Sequence, residues 1–465
     1  MKRSSRRPAG LMTPARRGLT IGLVLTITLV AFEALAVITI LPAIKDDLQG
    51  IRLYGWVTSA FQLGVLVGIV VAGGQADRRG PAPPFVAGVL VFVTGLTIGG
   101  LAPSMLVLVL ARGLQGLGAG AIPAVAYATI GRSYPESLRP RVFAVLSTAW
   151  VVPGLVGPAL SALVAARFGW RVVFLGLLPL VLASGALAWT SLHRLGPPKE
   201  PLVQRGRLVR AVGVAAGAGL VLAGLTSRSP LAGVLLVAAG LAVGLVPLRG
   251  LVPPGTLTAR PGLPVTVLSR GLLTFAFFGA DTYVPLAITS VRGRSTAVAS
   301  IAVTAATLAW TAGSWVQERR AADWPGRRLI RSGLLIVAAG IACQVAALFP
   351  AVPVAAGVAG WAVGGFGIGL AYSPISLLVL GEAPSGQEGA ASASLQLTEN
   401  LGVALGAGLG GVLVAAGAAA GWLPRSGIAG AFALTAAVAL AAAMLARRIP
   451  SRTIPPVDPT APDPA

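Results

Sequence analysis

Apolar runs long enough to cross a bilayer, cut by short punctuation of charge, proline or glycine, recur along the chain. They fall near 19–41, 55–76, 84–102, 104–130, 142–166 and 170–192, then 208–226 and 230–248. Six more follow near 264–290, 295–316, 329–349, 352–380, 388–417 and 426–446. A helix needs about 20 apolar residues to cross the hydrocarbon. The pattern therefore predicts an all-α polytopic membrane protein with fourteen transmembrane helices in a 6 + 2 + 6 order. It divides into a cytoplasmic tail (1–18), a six-helix bundle (19–192), a basic connector (193–207), an extra helix pair (208–248), a second connector (249–263), a second six-helix bundle (264–446) and a proline-rich tail (449–465) expected to be disordered. The first run is too long for a signal-peptide core, contains Glu33 and lacks a small-x-small cleavage site, so it reads as a retained helix.

Composition agrees. Hydrophobic residues make up 55% of the 465 and charged residues 11%, with mean hydropathy +0.84; a soluble chain of this size carries far more surface charge. The 61 glycines lie mostly inside the apolar runs, where small residues let helices approach closely. The net charge of +22 does not point to nucleic acid, because the basic residues sit in short segments between spans. With both termini inside, about 27 of the 36 Lys and Arg fall on the cytoplasmic side and about 8 outside, as the positive-inside rule requires. His193 is the single histidine, so no histidine-based metal cluster is available, and no phosphate-binding GxxxxGK[ST] stretch suggests ATP. No cofactor, metal or enzymatic nucleophile–base set is expected. The one cysteine, Cys343, reads as a small core hydrophobe.

The polar residues inside the runs carry the chemistry. Residues 112–120, RGLQGLGAG, lie within the fourth span. A guanidinium keeps its charge, so Arg112 needs a carboxylate, backbone carbonyls or a wet cavity. Its alternatives are a structural arginine pinning two helices or a polar relay. Counting from span ends puts Glu33, Gln62, Arg112 and Asp281 at one level, roughly 12–14 Å below the outer boundary. Gln115 lies one turn from Arg112 on a similar face. The expected ion pair is Glu33–Arg112, with Asp281 as an unpaired acid across the cavity. Span thirteen adds Gln396, Glu399 and Asn400; Glu399 reads either as a coupling acid or as a structural one. Trp150, Tyr283 and Trp361 either line an aromatic cavity or simply pack. Gly116, Gly118 and Gly120 recur as Gly365, Gly367 and Gly369 on span twelve, which places Arg112 opposite Trp361 and suggests two repeated halves with a site between them.

Four stretches resemble the major facilitator superfamily, specifically its fourteen-helix drug:proton antiporter branch. Residues 73–80 (GGQADRRG) resemble its cytoplasmic loop signature, 112–120 its fourth-helix signature, 153–158 (PGLVGP) its antiporter signature, and 32–42 (FEALAVITILP) its first-helix signature. The chain departs from the pattern at Pro81 and Ala82, where a basic residue is usual, at Gln317 in the counterpart loop, and at Glu33 in place of aspartate. The resemblance implies two six-helix bundles plus a central pair and alternating access. It also implies a cytoplasmic gate at Gly73, Asp77, Arg78 and Gly80, and a bending antiporter helix at Gly154, Gly157 and Pro158. Their depth inside the spans makes Glu33, Arg112, Asp281 and Glu399 candidates for proton coupling, and Gln62, Gln115, Gln396 and Asn400, with the three aromatics, candidates for the substrate cavity. Asp77, placed after span two beside Arg78 and Arg79, could latch onto a helix N-terminus or an arginine; the bland alternative is a topology signal.

Three acids against one arginine at these levels favour cationic or neutral lipophilic compounds over anions. The expectation is a monomeric exporter in the bacterial inner membrane, its partners an amphipathic small molecule, protons and membrane lipid, with no nucleic acid. A lipid or lipid-linked exporter, nutrient uptake and a non-transporting scaffold or sensor are the rival readings.

Overall fold

The computed structural model describes residues 17–133, 139–196, 206–321, 323–384 and 387–451. The N-terminal tail, most of the connector 193–207 and most of the tail 449–465 lie outside the described residues. Among those described there is no strand, and thirteen helical spans are long and apolar enough to cross a membrane. The shorter apolar stretch Val152–Phe168 belongs to a fourteenth helix, Arg139–Phe168.

The first half comprises α1 (Arg17–Asp47), α2 (Tyr54–Arg79), α3 (Ala82–Gly100), α4 (Met105–Ser133), α5 (Arg139–Phe168) and a span broken at Gly176 into α6 (Trp170–Leu175) and α7 (Leu177–Leu192). The extra pair is α8 (Arg207–Leu225) and α9 (Pro230–Arg249). The second half comprises α10 (Leu263–Asp281) with the short turn α11 (Val284–Leu286), α12 (Thr296–Arg320), α13 (Gly326–Ala347), α14 (Val354–Glu382), α15 (Glu388–Ala419) and α16 (Pro424–Leu445). Punctuation residues mark the ends. The Ser229 hydroxyl accepts the Ala232 N–H at 3.3 Å with Pro230 at the first helical position, so α9 begins with a cap and a preset φ. Gly80, at φ +84°, turns the chain out of α2 with its face against the Gly196 carbonyl, a place for glycine on both counts.

Packing repeats between the halves. In the first, α4 packs on α2 and α3, and α1 packs on α5 and α7; in the second, α14 packs on α12 and α13, and α10 packs on α15 and α16. The glycine triplets make these contacts possible. A Cβ on Gly116 or Gly120 would strike the Phe61 or Val65 carbonyl of α2, and one on Gly118 the Gly88 carbonyl of α3. In the same order, Gly365 and Gly369 lie on the Ala306 and Trp310 carbonyls of α12, and Gly367 on that of Gly333 in α13. In a membrane, where apolar burial gives helices no mutual preference, such close backbone approach supplies the packing attraction.

The halves meet along two seams, α2 with α15 and α5 with α12, exchanged by the repeat. The extra pair lies outside both bundles. Helix α8 packs on α2 and α15 across the first seam, with Leu222 and Ser59 both against Gly408, while α9 packs on α8 and otherwise shows an apolar face. Cys343 departs from expectation. It is exposed on the outer face of α13 beside Gly360 rather than in the core, because the even hydrophobicity of a membrane helix does not reveal which side faces lipid.

Candidate functional site

Between the halves lies a cavity of about 450 Å³. It reaches from the level of Arg112 toward Leu380 and Ser392, at the end of the bundle where α1 begins and α16 finishes. The opposite end is closed. There Ser59 donates to the Ala404 carbonyl at 2.7 Å across the α2–α15 seam, and Tyr54 and Tyr283 pack with ring centroids 5.7 Å apart. The Tyr283 hydroxyl donates to the Ala407 carbonyl, and Lys45 reaches Ser290 at 3.4 Å.

The fourth-helix arginine has the partner its sequence position demands. Arg112 Nη1 donates to Glu33 Oε1 of α1 and, at 3.1 Å, to Gln115 Oε1. Gln115 Nε2 in turn donates to the same Glu33 oxygen at 3.2 Å, closing a three-membered cluster. Arg112 Nε points to the Val57 carbonyl at 3.4 Å, and the guanidinium lies 4.1 Å from the Phe61 ring centroid, so α1, α2 and α4 all hold it. All three polar side chains are almost fully buried. Glu33 Oε2 has no hydrogen-bond partner among the described residues. Arg112 and Gln62 line the cavity, and Gln115 sits behind them.

Asp281 is not across the cavity. It is buried against α14, where Trp361 Nε1 donates to Oδ1 at 2.8 Å, and Trp361 stacks on Phe277 with centroids 4.9 Å apart. Depth counting fixed the level of Asp281 but not its rotation about the helix axis; the side chain faces α14 rather than the lumen. Tyr283 and Trp361 likewise belong to the packed core and not to the cavity lining. Trp150 lies on α5, but its side chain is outside the described residues.

Span thirteen does reach the lumen, with Gln396, Glu399 and Asn400 all lining it. Glu399 meets a residue that sequence reasoning missed. Arg270 of α10, counted with the basic residues of the cytoplasmic side, is buried in the cavity wall. Its Nη2 donates to Ser376, its Nε lies 4.0 Å from Glu399 Oε2, and it sits 3.5 Å from the Tyr372 ring centroid. Tyr372 donates to Glu399 Oε1 at 2.8 Å. The signal was available, since an arginine seven residues inside an apolar run needs a partner as Arg112 does. Arg270 also corrects the charge balance: the lining holds Arg112, Arg270 and Glu399, so three acids against one arginine does not describe this cavity.

At the open end, Asp77 lies on the last turn of α2, exposed, with no hydrogen bond or ion pair to any described residue; α2 runs on to Arg79, so the aspartate does not follow the helix as expected. Asp77 and Arg78 border a groove shared with Gln396 of α15, and Gly73 faces open space. On α5, Gly154 is packed against Thr307 of α12, so a side chain there would collide across the seam; Gly157 faces Phe32 of α1. Pro158, buried, gives its carbonyl to Ser161 at 3.0 Å.

Two repeated helical halves around a midplane cavity, closed at one end and lined by buried ionisable groups, are the architecture of a membrane transporter. Residues 23–407 match the family model of the Major Facilitator Superfamily, and the chain belongs to that family. It is similar to a "Probable multidrug-efflux transporter" of Mycobacterium tuberculosis, 28% identical over 411 residues, 83% of this chain and 85% of that protein. It is also similar to the drug efflux pump JefA of the same organism, 27% identical over 430 residues, 87% and 82% of the two chains. Among solved structures, a D-xylose–proton symporter superposes with TM-score 0.68 at 14% identity, over 94% of this chain and 98% of that one. A bacterial homologue of Spinster, in an inward-facing state, superposes with TM-score 0.67 at 18% identity, over 94% and 98%. The protein is thus a multi-pass membrane transporter and not an enzyme.

Proposed function

We propose that this chain is a proton-coupled exporter of amphipathic lipophilic compounds, working by alternating access as a monomer in the bacterial inner membrane. Both termini would lie in the cytoplasm, so the conformation described is open to the cytoplasm and closed to the outside. The observation that carries the reading is the Glu33–Arg112–Gln115 cluster, buried where α1, α2 and α4 meet beside the cavity. The Glu33–Arg112 ion pair ties α1 to α4; protonation of the carboxylate would free Arg112 and loosen the two helices. Such an event is coupled to the halves, because α1 also packs on α11 and α12 of the other half. The drug-efflux names of the two mycobacterial relatives support export. The unlatched Asp77 fits an open cytoplasmic side, and its engagement would accompany closure.

The test is substrate-dependent proton movement. Proteoliposomes with an acidic interior and a lumenal pH dye are given a lipophilic cation such as ethidium. Faster loss of the gradient than in empty vesicles is expected. No effect with any amphiphile, at any gradient, would defeat proton coupling.

A further inference from the structure

The two guanidinium groups of the cavity wall are built differently. Arg112 is sealed by a directly bonded carboxylate that Gln115 also holds. Arg270 is as deeply buried, 1% exposed, yet among the described residues its single hydrogen bond is to Ser376, and its Nε and Nη1 have no hydrogen-bond partner. Beside it, Glu399 is 29% exposed, with one oxygen on the Tyr372 hydroxyl and the other 4.0 Å from Arg270 Nε. Asn400, next along α15, turns its amide to the Gln396 carbonyl at 2.7 Å and does not saturate either charge. An under-bonded cation and a partly exposed anion therefore stand side by side on one cavity wall.

That pairing sets what can bind. At such a separation the two charges are felt almost equally by any third charge in the lumen, through a medium of low effective dielectric. An ammonium drawn to Glu399 is repelled by Arg270, and a carboxylate drawn to Arg270 is repelled by Glu399. A headgroup that carries both charges satisfies both. We propose that Arg270 and Glu399 form a receptor for zwitterionic headgroups, so that the cavity favours net-neutral dipolar amphiphiles over lone cations or anions. Arg270 Nε and Nη1, buried and unshared in this conformation, turn to the lumen to meet the anionic group, a carboxylate or phosphate, either of which the fork geometry suits. The ammonium faces the partly exposed Glu399 carboxylate. The tail lies along Phe278, Leu395 and Val403, which line the same cavity. This rests on the cavity being the substrate site of the proposed exporter, and it narrows that site's substrate class.

A series with one tail and four heads tests it: octylphosphocholine, octyltrimethylammonium, octyl phosphate and octyl glucoside. Binding to the full chain in phosphatidylglycerol nanodiscs is read from tryptophan fluorescence, with empty nanodiscs subtracted; Trp310 packs 5.3 Å from the Tyr372 ring and is well placed to respond. Octylphosphocholine should bind about tenfold more tightly than either singly charged head. Arg270→Gln should move the preference to octyltrimethylammonium, and Glu399→Gln should move it to octyl phosphate. If a single variant misfolds, the charge-swapped Arg270→Glu/Glu399→Arg double variant should keep the preference for the zwitterion. Equal binding of the three charged heads, or a preference unmoved in the variants, overturns the proposal. Lysophosphatidylcholine carries the same head on a lipid tail; whichever of it and octylphosphocholine binds more tightly identifies a membrane lipid or a smaller compound as the source. Head selectivity without proton movement in proteoliposomes would sink the exporter reading alone, and proton movement without head selectivity would sink this one alone.

Discussion

Arg112 and Trp361 occupy matching positions of the two repeats, and each holds the buried acid carried by the first helix of its own half. Arg112 does so through an ion pair with Glu33, Trp361 through an indole N–H on Asp281 at 2.8 Å. Equivalent geometry thus carries a charge in one half and a neutral donor in the other. The difference assigns unlike roles to two acids that the sequence placed at one depth.

Replacing Arg112 with glutamine should leave Glu33 buried without its cation. Removing one partner of a buried pair costs about 3–5 kcal/mol, so the variant should melt at a lower temperature in detergent and lose transport. The double variant Glu33→Gln/Arg112→Gln, which leaves no orphan charge, should recover much of the stability but none of the proton coupling. Unaltered melting of the single variant would show the cluster to be slack.

Trp361→Phe keeps the ring stacked on Phe277 but removes the donor to Asp281. An unsatisfied buried acceptor costs about 1–3 kcal/mol, and the loss should be relieved by adding Asp281→Leu. Proton-coupled transport by Asp281→Asn should stay within a few-fold of the parent, because the side chain is walled off from the lumen; complete loss of coupling would return Asp281 to the transport route.

The glycine triplets give a positional test. Gly116→Val and Gly365→Val place a side chain on a neighbouring helix carbonyl and should abolish folded protein, whereas Gly73→Val faces open space and should be tolerated in yield. Size-exclusion profiles of the three variants decide it. Equal yields would mean that the helix approach is not as close as described.

On α5, Gly154→Leu collides with Thr307 across the seam and not within a bundle. Folding should survive while alternation slows, which transport rate and melting temperature measured together can separate. At the open end, Asp77→Asn should fold and insert normally yet fail to transport, since no described contact depends on Asp77 in this conformation. Normal efflux would reduce it to a topology signal.

Span number, the repeat and the Glu33–Arg112 pair were legible because each follows from length or depth, quantities that a linear sequence carries. Rotation about the helix axis was not. Apolar residues surround a membrane helix on all sides, so Asp281, Tyr283 and Trp361 could be assigned a level but not a face, and Cys343 could not be told from a core residue. Arg270 escaped for a different reason. It lies near a span end, where a basic residue usually signals topology, and burial by Tyr372 and Ser376 of a distant helix is what removes it from that class.

The extra pair breaks the symmetry that the repeat would otherwise impose. Without α8, the α2–α15 and α5–α12 seams would be equivalent edges of the molecule. With α8 lying over α2 and α15, one edge is covered, whereas among the described residues the pair makes no such packing on α5 and α12. In the proposed alternating access, α8 would travel with one half and slide on the other. Any sideways route from the bilayer would then be open on one flank alone, which would give the transporter a front and a back in the plane of the membrane.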